Sequence, residues 1–286
     1  MKKIKIKSYC KINLFLKVLK KLKNGYHNIQ SLVTFCDLHD VISVSENPNS
    51  KDKISFSGKF KKGISSKSNT VTKLLNLLRQ EKLLENKNFN IKIKKNIPHG
   101  SGLGGGSSNA AQLLNYFNLK MNLKLNQEKM KKFASQIGFD VPIIIKKKNT
   151  FITGKNNEIL RSDQKFRLNL LIVYPNIVCS TKKIYKKNKK KSYKKKNFFN
   201  KKKGKKLIDF LIEQNNDLEK TATQMYPKIG TIINYIKCQN GCYFSRITGS
   251  GSACIGIFSN MEKAINAQKL MKLKYPNYWC VVSKTI

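Results

Sequence analysis

A glycine-rich loop is the part of this sequence with the clearest chemical meaning. Five glycines fall within seven residues, between an alternating strand pattern and an amphipathic helix pattern. Glycine lets the backbone approach a ligand closely, and backbone amides ahead of a helix attract anions. A flexible linker is the alternative, but a linker would not join a strand to a helix so directly. The predicted anion-binding loop comprises Pro98, His99, Gly100, Ser101, Gly102, Leu103, Gly104, Gly105, Gly106, Ser107 and Ser108.

Two serines close this loop, and the sequence around them does not match the common phosphate-binding motifs. Ser107 and Ser108 are suited to cap the helix and to offer hydroxyls to a phosphate or a metal ion. The Gly-Lys-Ser/Thr ending of a Walker A loop is absent. A dinucleotide-binding loop would be followed by an acid about 20 residues later, and the nearest acid here is Glu128, at the start of a polar helix.

Asp140 is the candidate for proton transfer. Phosphoryl transfer needs a group that accepts or orients the proton of the acceptor hydroxyl, together with positive charge near the phosphoryl group. Only 15 of the 286 residues are acidic, and Asp140 lies between an amphipathic helix and a short apolar run that predicts a buried strand over residues 141–145. An aspartate in such a turn also commonly accepts hydrogen bonds from backbone amides. Both interpretations stay open from local sequence alone.

Two further glycine-marked segments are candidates for ligand contact. Residues 246–253 form a small-residue turn between two predicted strands, either an ordinary hairpin or a second backbone surface that faces a ligand. Asn24 and Gly25 follow the first long strand, and Asn-Gly is a hairpin signal. Tyr26 and His27 come directly after it, where they could simply pack beside the turn.

Periodic apolar residues predict the elements that must position these groups. Residues 12–18 alternate as a half-buried strand, which places Lys11 and Asn13 together on its polar face. Because lysine is so abundant in this chain, the presence of a lysine at residue 11 indicates no role by itself. Residues 89–93 form a second alternating strand. Helical spacing of apolar residues predicts three amphipathic helices, at Val71, Leu74, Leu75 and Leu78, at Ala110, Leu113, Leu114 and Phe117, and at Met130, Phe133, Ala134 and Ile137.

The second half has its own strand and helix pattern. Strands are expected over residues 168–173, 243–247, 253–258 and 278–282, and helices over 208–215, 229–236 and 262–273. Residues 182–206 contain 15 lysines and no acid or arginine, and we expect this segment not to pack because like charges repel. A break at Gly154 favours two domains, residues 1–160 and 161–286.

Composition limits the choice of partners. The formal charge is +43, but only four of 58 basic residues are arginine, the preferred residue for phosphate and base recognition. A diffuse lysine excess, with abundant asparagine, is better explained by A/T-rich codon drift than by a nucleic-acid footprint, so we expect no specific nucleic-acid partner. Seven cysteines without a CxxC pair indicate reduced thiols and a cytoplasmic protein. We expect no signal peptide and no membrane span.

Taken together, these motifs resemble the GHMP kinase superfamily and, within it, the 4-diphosphocytidyl-2-C-methyl-D-erythritol kinase family. The resemblance covers nearly the whole chain. Its most specific sign is the Lys-Ile-Asn strand at Lys11 followed by Gly25-Tyr26-His27. The glycine loop and the segment around Asp140 resemble segments that several GHMP kinases share. Residues 216–219 (Asn-Asp-Leu-Glu) and 248–251 (Thr-Gly-Ser-Gly) complete the pattern.

The resemblance implies a fold and roles for individual residues. It implies a two-domain α+β protein, with an N-terminal ribosomal-S5-like domain and a C-terminal ferredoxin-like domain. Residues 98–108 would hold the phosphates of ATP, Asp140 would be the catalytic base toward the 2-hydroxyl of the acceptor, and Lys11 would keep Asp140 ionised. The expected acceptor is a sugar alcohol linked to cytidine diphosphate. The implied substrate-binding residues are Asn13, Tyr26, His27, Tyr185, Gly249 and Gly251.

Some points remain open within this resemblance. Mg²⁺ is expected from phosphoryl transfer, with Ser108 as a candidate ligand. Tyr9 and Cys10 stand where the family usually has Pro-Ala, and His99 and Ser101 replace more typical loop residues. Rival hypotheses are another GHMP kinase, of homoserine or mevalonate type, and a nucleic-acid-binding protein on an inactive kinase scaffold. A metal or redox protein has no ligand cluster in the sequence to support it.

Overall fold

A computed structural model describes residues 4–22, 27–49, 51–154, 158–189 and 204–286. The chain divides into two compact units that interleave along the sequence. Unit 1 consists of Met1–Lys11, Leu38–His99 and Gly104–Lys147, and unit 2 of Ile12–Asp37, Gly100–Leu103 and Lys148–Ile286. Among the helices of the described ranges, none has the length and apolar character needed to cross a membrane.

Unit 1 contains three helices of two or more turns, each of which buries the apolar face that its sequence predicts. Two long strands, β1 (Ile4–Lys21) and β2 (His27–Asn47), contribute residues to both units and pair with each other. In unit 1, β4 pairs antiparallel with β2 and parallel with β3. The remaining elements are β3 Lys53–Ser57, α1 Thr70–Gln80, β4 Asn88–Lys94, α2 Gly105–Lys120, α3 Gln127–Ile137 and α4 Val141–Ile144.

The helices of unit 1 begin where local chemistry favours it. Asn69 accepts hydrogen bonds from the amides of Val71 and Thr72 and so caps α1, and Asn126 caps α3 through the amide of Lys129. Every apolar residue that the helical spacing singled out in α1, α2 and α3 is buried. The larger of these side chains, Val, Leu, Ile, Phe and Met, each contribute roughly 1.5–3 kcal/mol when they are fully removed from water.

Residues 141–145 are not the strand that the sequence predicts. They form the short helix α4, with Pro142 in its first turn, and the amides of Ile144 and Ile145 donate to the carbonyls of Asp140 and Val141. The apolar run gave no periodicity that distinguishes a buried strand from a buried helix. Proline is well tolerated in the first turn of a helix, where its missing N–H is not needed.

Unit 2 contains a four-stranded antiparallel sheet in the order β10-β7-β9-β8. The connectivity of these strands and their helices is βαββαβ, which confirms the predicted ferredoxin-like arrangement. In the same unit β5 pairs with β2 and β6. The elements are β5 Asn149–Thr153, β6 Ile159–Ser162, β7 Asn169–Tyr174, α5 Thr181–Lys187, α6 Gly204–Ile212, α7 Glu219–Met225, α8 Pro227–Lys237, β8 Cys242–Ile247, β9 Cys254–Phe258, α9 Met261–Lys274 and β10 Trp279–Lys284.

Two expectations about packing are wrong. The polar face of β1 is not solvated, because Lys11, Asn13 and Lys17 are each at most 6% exposed. The lysine-rich segment 182–206 does pack at its N-terminal end, since α5 buries Ile184 completely, whereas residues 204–206 at the start of α6 are exposed. Ile184 belongs to the buried core of unit 2. Residues 190–203 of this segment lie outside the described residues.

The division into units does not follow the predicted boundary between residues 160 and 161. Both β1 and β2 run through the two units, so a single cut in the sequence cannot separate them. The boundary at 160/161 stays a prediction about how the chain is organised along its length.

Candidate active site

Lys11 and Asp140 form an ion pair in unit 1. The Lys11 Nζ lies 3.4 Å from Asp140 Oδ2, with the lysine side chain 6% exposed and the aspartate side chain 39% exposed. Asp140 is the residue before α4, and its side chain makes no capping hydrogen bond to that helix among the described residues. The local alternative, an aspartate that serves only to cap its own turn, is therefore not what the structure has. The carboxylate is accessible to solvent and adjacent to a buried cation.

The N-terminus of α2 lies directly beside this lysine. Gly104 precedes α2 with φ +69°, and a Cβ at this position would lie 2.7 Å from Lys11 Cγ and 3.1 Å from Lys11 Cε. Glycine is therefore required at residue 104 both for the backbone conformation and for the close approach to Lys11. The free amides at the start of α2 thus lie near the Lys11–Asp140 pair.

Ser107 and Ser108 do not cap α2, contrary to the sequence-based expectation. The N-cap position is Gly104, and within the described chain no side chain caps this helix. Ser108 is 1% exposed, and its hydroxyl donates to the Tyr9 carbonyl at 2.7 Å, which ties α2 to β1. The two serines lie one turn too far into the helix to cap it, because the helix begins inside the glycine run.

The other loop residues divide between the two units. Pro98 is buried and His99 half-buried in unit 1, whereas residues 100–103 belong to unit 2. In unit 2, the side chains of Ser101 and Leu103 are buried, so these residues offer a ligand only backbone groups. Gly100 and Gly106 are exposed and Gly102 and Ser107 are half-buried.

In unit 2, residues 101–102 pack against the turn that joins β8 and β9. A Cβ on Gly102 would lie 2.2 Å from the Thr248 carbonyl oxygen, and the Ser101 carbonyl accepts a hydrogen bond from Ala253 N at 3.0 Å. The turn is a hairpin, but its backbone is also fixed from outside, because the Asn216 side chain donates to the Gly249 carbonyl at 2.8 Å. Gly249 and Gly251 both have positive φ.

Asn13 is held by two hydroxyl groups of unit 2. Its backbone amide donates to Thr248 Oγ1 at 2.9 Å, and its side-chain Nδ2 donates to Ser31 Oγ at 2.9 Å. The Ser31 hydroxyl in turn donates to the Phe15 carbonyl at 2.6 Å. Sequence reasoning missed Ser31, because a buried serine in a long strand carries no signal of its partner.

His27 and Tyr185 form an aromatic pair in unit 2. Their ring centroids lie 5.2 Å apart with an interplanar angle of 32°. The structure thus brings together two residues that are 158 positions apart and that the resemblance assigns to substrate binding. Tyr26, the third aromatic candidate, lies outside the described residues.

Arg246 supports the β8–β9 turn from within unit 2. Its guanidinium donates to the carbonyls of Leu14 and Leu211 at 3.0 and 2.9 Å and lies 3.9 Å from the ring centroid of Phe244. Burial lowers the pKa of Arg246 to about 10, an effect that the negative charge of Glu219 opposes. Arg246 therefore remains charged at neutral pH and holds backbone groups in place.

The comparisons with protein families match both halves of the chain. The GHMP kinases N terminal domain matches residues 69–148, and the GHMP kinases C terminal domain matches residues 203–277. The first match contains the glycine loop and Asp140, and the second contains the β8–β9 turn. The mixed α+β fold predicted from the sequence is confirmed.

Curated relatives match along their full length. A 4-diphosphocytidyl-2-C-methyl-D-erythritol kinase of Pelagibacter ubique (strain HTCC1062) is 42% identical over 288 residues, which cover 100% of both chains. The enzyme of the same name from Caldanaerobacter subterraneus subsp. tengcongensis is 33% identical, with 99% of this chain and 97% of the relative covered.

Solved structures show the same fold. A crystal structure of 4-(cytidine 5'-diphospho)-2C-methyl-D-erythritol kinase superposes with a TM-score of 0.78 at 20% identity, covering 98% of this chain and 99% of the other. A homoserine kinase from Cytophaga hutchinsonii superposes with a TM-score of 0.70 at 15% identity, covering 100% of this chain and 95% of the other.

Proposed function

Because the chain belongs to the 4-diphosphocytidyl-2-C-methyl-D-erythritol kinase family of the GHMP kinases, we propose that it transfers a phosphoryl group from ATP to the 2-hydroxyl of 4-diphosphocytidyl-2-C-methyl-D-erythritol. This reaction belongs to isoprenoid precursor synthesis. We place it in the cytoplasm, since all seven cysteines are free thiols and five of them are buried. The observation that carries the proposal is the Lys11–Asp140 ion pair beside Gly104.

Asp140 is the base in this proposal. Its carboxylate accepts the proton of the 2-hydroxyl as the oxygen attacks the terminal phosphorus of ATP, and the bond from that phosphorus to its bridging oxygen breaks to release ADP. Lys11 lies 3.4 Å away and stabilises both the carboxylate and the negative charge on the transferring group. The exposure of Asp140 suits a group that must contact a bound substrate, and the burial of Lys11 suits a cation that must stay in place.

ATP is the cofactor that GHMP kinases use, and the start of α2 provides groups for its phosphates. The first amides of a helix have no partner within the helix and carry partial positive charge. In unit 1 these are the amides of residues 105–107, since the Ser108 amide already donates to the Gly104 carbonyl, and the helix follows a glycine at which a Cβ would collide with Lys11. The amides of the loop, rather than its side chains, are the proposed phosphate ligands.

Mg²⁺, when bound, would neutralise charge on the phosphate oxygens. Ser108, the candidate ligand, does not fit this role well, because its hydroxyl is buried and donates to the Tyr9 carbonyl. In the part of the chain that the structure describes, no group of three or more His, Cys, Asp or Glu side chains could hold a metal ion. The absence of such a group from the described residues is compatible with an Mg²⁺ ion that binds together with the phosphates and keeps several water ligands. No step proposed here depends on that ion.

The acceptor is proposed to bind to side chains of unit 2. His27 and Tyr185 already pack as an aromatic pair, and such a surface suits the stacking of a cytosine ring. Asn13 is held by Ser31 and Thr248, so its amide is prepared to hydrogen-bond a polar substrate. Gly249 and Gly251 would contribute backbone groups, and Tyr26 remains a candidate on sequence grounds.

The test is the acceptor specificity of the purified chain with ATP and Mg²⁺. We expect phosphorylation of 4-diphosphocytidyl-2-C-methyl-D-erythritol, detected as a new phosphomonoester by ³¹P NMR, and no comparable product from homoserine or mevalonate. Turnover of homoserine or mevalonate instead would assign the chain to another GHMP activity. A folded protein that turns over none of the three would favour the inactive-scaffold alternative, which a steep salt dependence of nucleic-acid binding would support.

A further inference from the structure

A second ion pair of unit 1, between Asp40 and Lys95, is almost completely buried. The Lys95 side chain is 3% exposed and the Asp40 side chain is fully buried, and the ammonium donates directly to Asp40 Oδ2. Buried charges are expensive unless they are paired and fully hydrogen-bonded. The proposed reaction uses neither residue, and no motif in the sequence distinguishes this lysine from the others.

The carboxylate of Asp40 holds the start of the glycine loop. The backbone pairing of β2 with β4 ends at Val41 and Lys94. One residue further on, Asp40 Oδ1 accepts hydrogen bonds from the amides of Asn96 and Ile97 at 2.7 and 2.9 Å. A side chain therefore takes over where the strand pairing stops, and it fixes the segment that leads into Pro98.

The ammonium of Lys95 lies against the end of the same loop. Gly105 is the first residue of α2, and a Cβ placed on it would lie 3.3 Å from Lys95 Nζ and 2.9 Å from Ile97 Cγ2. The start of α2 therefore lies so close to Ile97 and Lys95 that a side chain at residue 105 would collide with them. Through Oδ1 the Asp40 carboxylate accepts hydrogen bonds from the segment at the start of the loop. Through Oδ2 it accepts a hydrogen bond from the Lys95 ammonium, which lies beside the end of the loop.

We propose that Asp40 and Lys95 are positioning residues that join the two ends of the phosphate-binding loop and so prepare it for ATP. This inference rests on the proposed function of the loop. A loop whose ends are fixed loses less conformational freedom when it binds a ligand, and the affinity for that ligand rises accordingly. Among the described residues of unit 1, the side-chain hydrogen bonds of the pair join Asp40 to Lys95 and to the amides of Asn96 and Ile97. The effect of the pair should therefore be specific to ATP.

The double variant Asp40→Asn/Lys95→Met removes the ion pair and keeps a side-chain acceptor for the two backbone amides. Asparagine keeps a side-chain oxygen for the amides of Asn96 and Ile97, methionine keeps the length of the lysine stem, and no unpaired charge remains buried. We expect the dissociation constant of ATP, measured by calorimetry, to rise about tenfold, with the KM of the acceptor within twofold of wild type and kcat reduced less than ATP affinity.

The matched control is Asp52→Asn/Arg79→Met, at the opposite end of β4. There Asp52 accepts from Arg79 and from the amide of Phe89 at 2.8 Å, so the same kind of pair is removed away from the loop. We expect this control to bind ATP as the wild type does. Should the first double variant fail to fold, Lys95→Met alone removes the ammonium and leaves the Asp40 carboxylate its hydrogen bonds to the amides of Asn96 and Ile97, and it too should weaken ATP binding.

Two results would overturn the inference. One is an ATP dissociation constant within twofold of wild type in a folded variant that lacks the pair. The other is an equal loss of affinity for ATP and acceptor, which would indicate a general structural role. A wild-type protein that binds no ATP would instead contradict the proposed function, so the two failures are distinguishable.

Discussion

At the scale of single residues, the proposed chemistry depends on a few side chains whose partners are distant in sequence. Asp140 can be singled out from the sequence, because acids are scarce and it lies between a predicted amphipathic helix and an apolar run. Lys11 is predictable only by resemblance, since nothing local separates it from the other lysines. Ser31, Asp40 and Lys95 could not be predicted at all, because their roles consist of contacts made across the fold.

Replacing Lys11 should impair the chemical step rather than ATP binding. We expect Lys11→Ala to lower kcat by about 10²–10⁴, the usual range for a group that assists proton transfer, with a much smaller change in the KM of ATP. Steady-state kinetics in both substrates is the measurement. Lys17→Met is the matched control, because Lys17 is a buried lysine of the same strand whose ammonium is held by Asn215. A variant in which only the KM of ATP changes would refute the catalytic role.

Removing the Ser31 hydroxyl should affect the acceptor and not ATP. Ser31→Ala loses the hydrogen bond that orients the Asn13 amide, and one such bond contributes about 0.5–1.5 kcal/mol. That range corresponds to a rise of roughly 2- to 10-fold in the KM of the acceptor. The KM of ATP in the same variant serves as the internal reference, and equal changes in the two constants would show that Asn13 is not specifically an acceptor residue.

At the scale of secondary structure, helical periodicity was informative, and the four short strands predicted in the second half are present, but one short apolar run was misassigned. Helices α1, α2 and α3 were predicted with their buried faces, because eleven or more residues define a period. Residues 141–145 were misassigned, because five apolar residues define none. The burial of both faces of β1 was also missed, since its polar face pairs with residues from other segments, as Lys11 does with Asp140.

Gly104 is a position where a side chain should disturb both the backbone and Lys11. Its φ of +69° disfavours any residue with a Cβ, and that Cβ would lie 2.7 Å from Lys11 Cγ. We expect Gly104→Ala to lower the free energy of unfolding by about 1–3 kcal/mol and to reduce turnover as Lys11 is displaced.

A glycine elsewhere in the protein provides the control for this substitution. Gly230 lies within α8, where the atoms nearest to a new Cβ would be 3.6 Å away. Gly230→Ala should raise the unfolding free energy by up to about 1 kcal/mol, since alanine favours the helix. Urea denaturation measures both variants, and a Gly104→Ala protein as stable and active as wild type would contradict the geometry of the loop.

At the scale of the whole molecule, the resemblance and the order of the predicted elements agreed on the fold class, which the structure confirms. The ferredoxin-like topology of unit 2 agrees with the order of strands and helices that the apolar periodicity predicts. The interleaving of the units could not be predicted, because it depends on β1 and β2 being long enough to enter both.

The burial of the thiols provides a test of the folded structure. Burial raises the pKa of Cys179 to about 11 and the pKa of Cys254 well above its ordinary value, and Cys238 is exposed. A raised thiol pKa means little thiolate at pH 8, and the thiolate is the reactive form. We expect iodoacetamide to label Cys238 first and to reach Cys179 and Cys254 only after unfolding, as measured by peptide mass spectrometry. Rapid labelling of Cys254 in the native protein would contradict the packing of unit 2.

The measurement that tests the account most directly is the turnover of Asp140→Asn. Asparagine preserves the size of the side chain but cannot accept the proton, so we expect kcat to fall by about 10²–10⁴ while ATP still binds. Asp163→Asn is the matched control, because Asp163 also pairs with a lysine, Lys148, but is 82% exposed. The account predicts phosphorylation of 4-diphosphocytidyl-2-C-methyl-D-erythritol by the wild type and the control and its near loss in Asp140→Asn. Turnover of Asp140→Asn within tenfold of the wild type would contradict it.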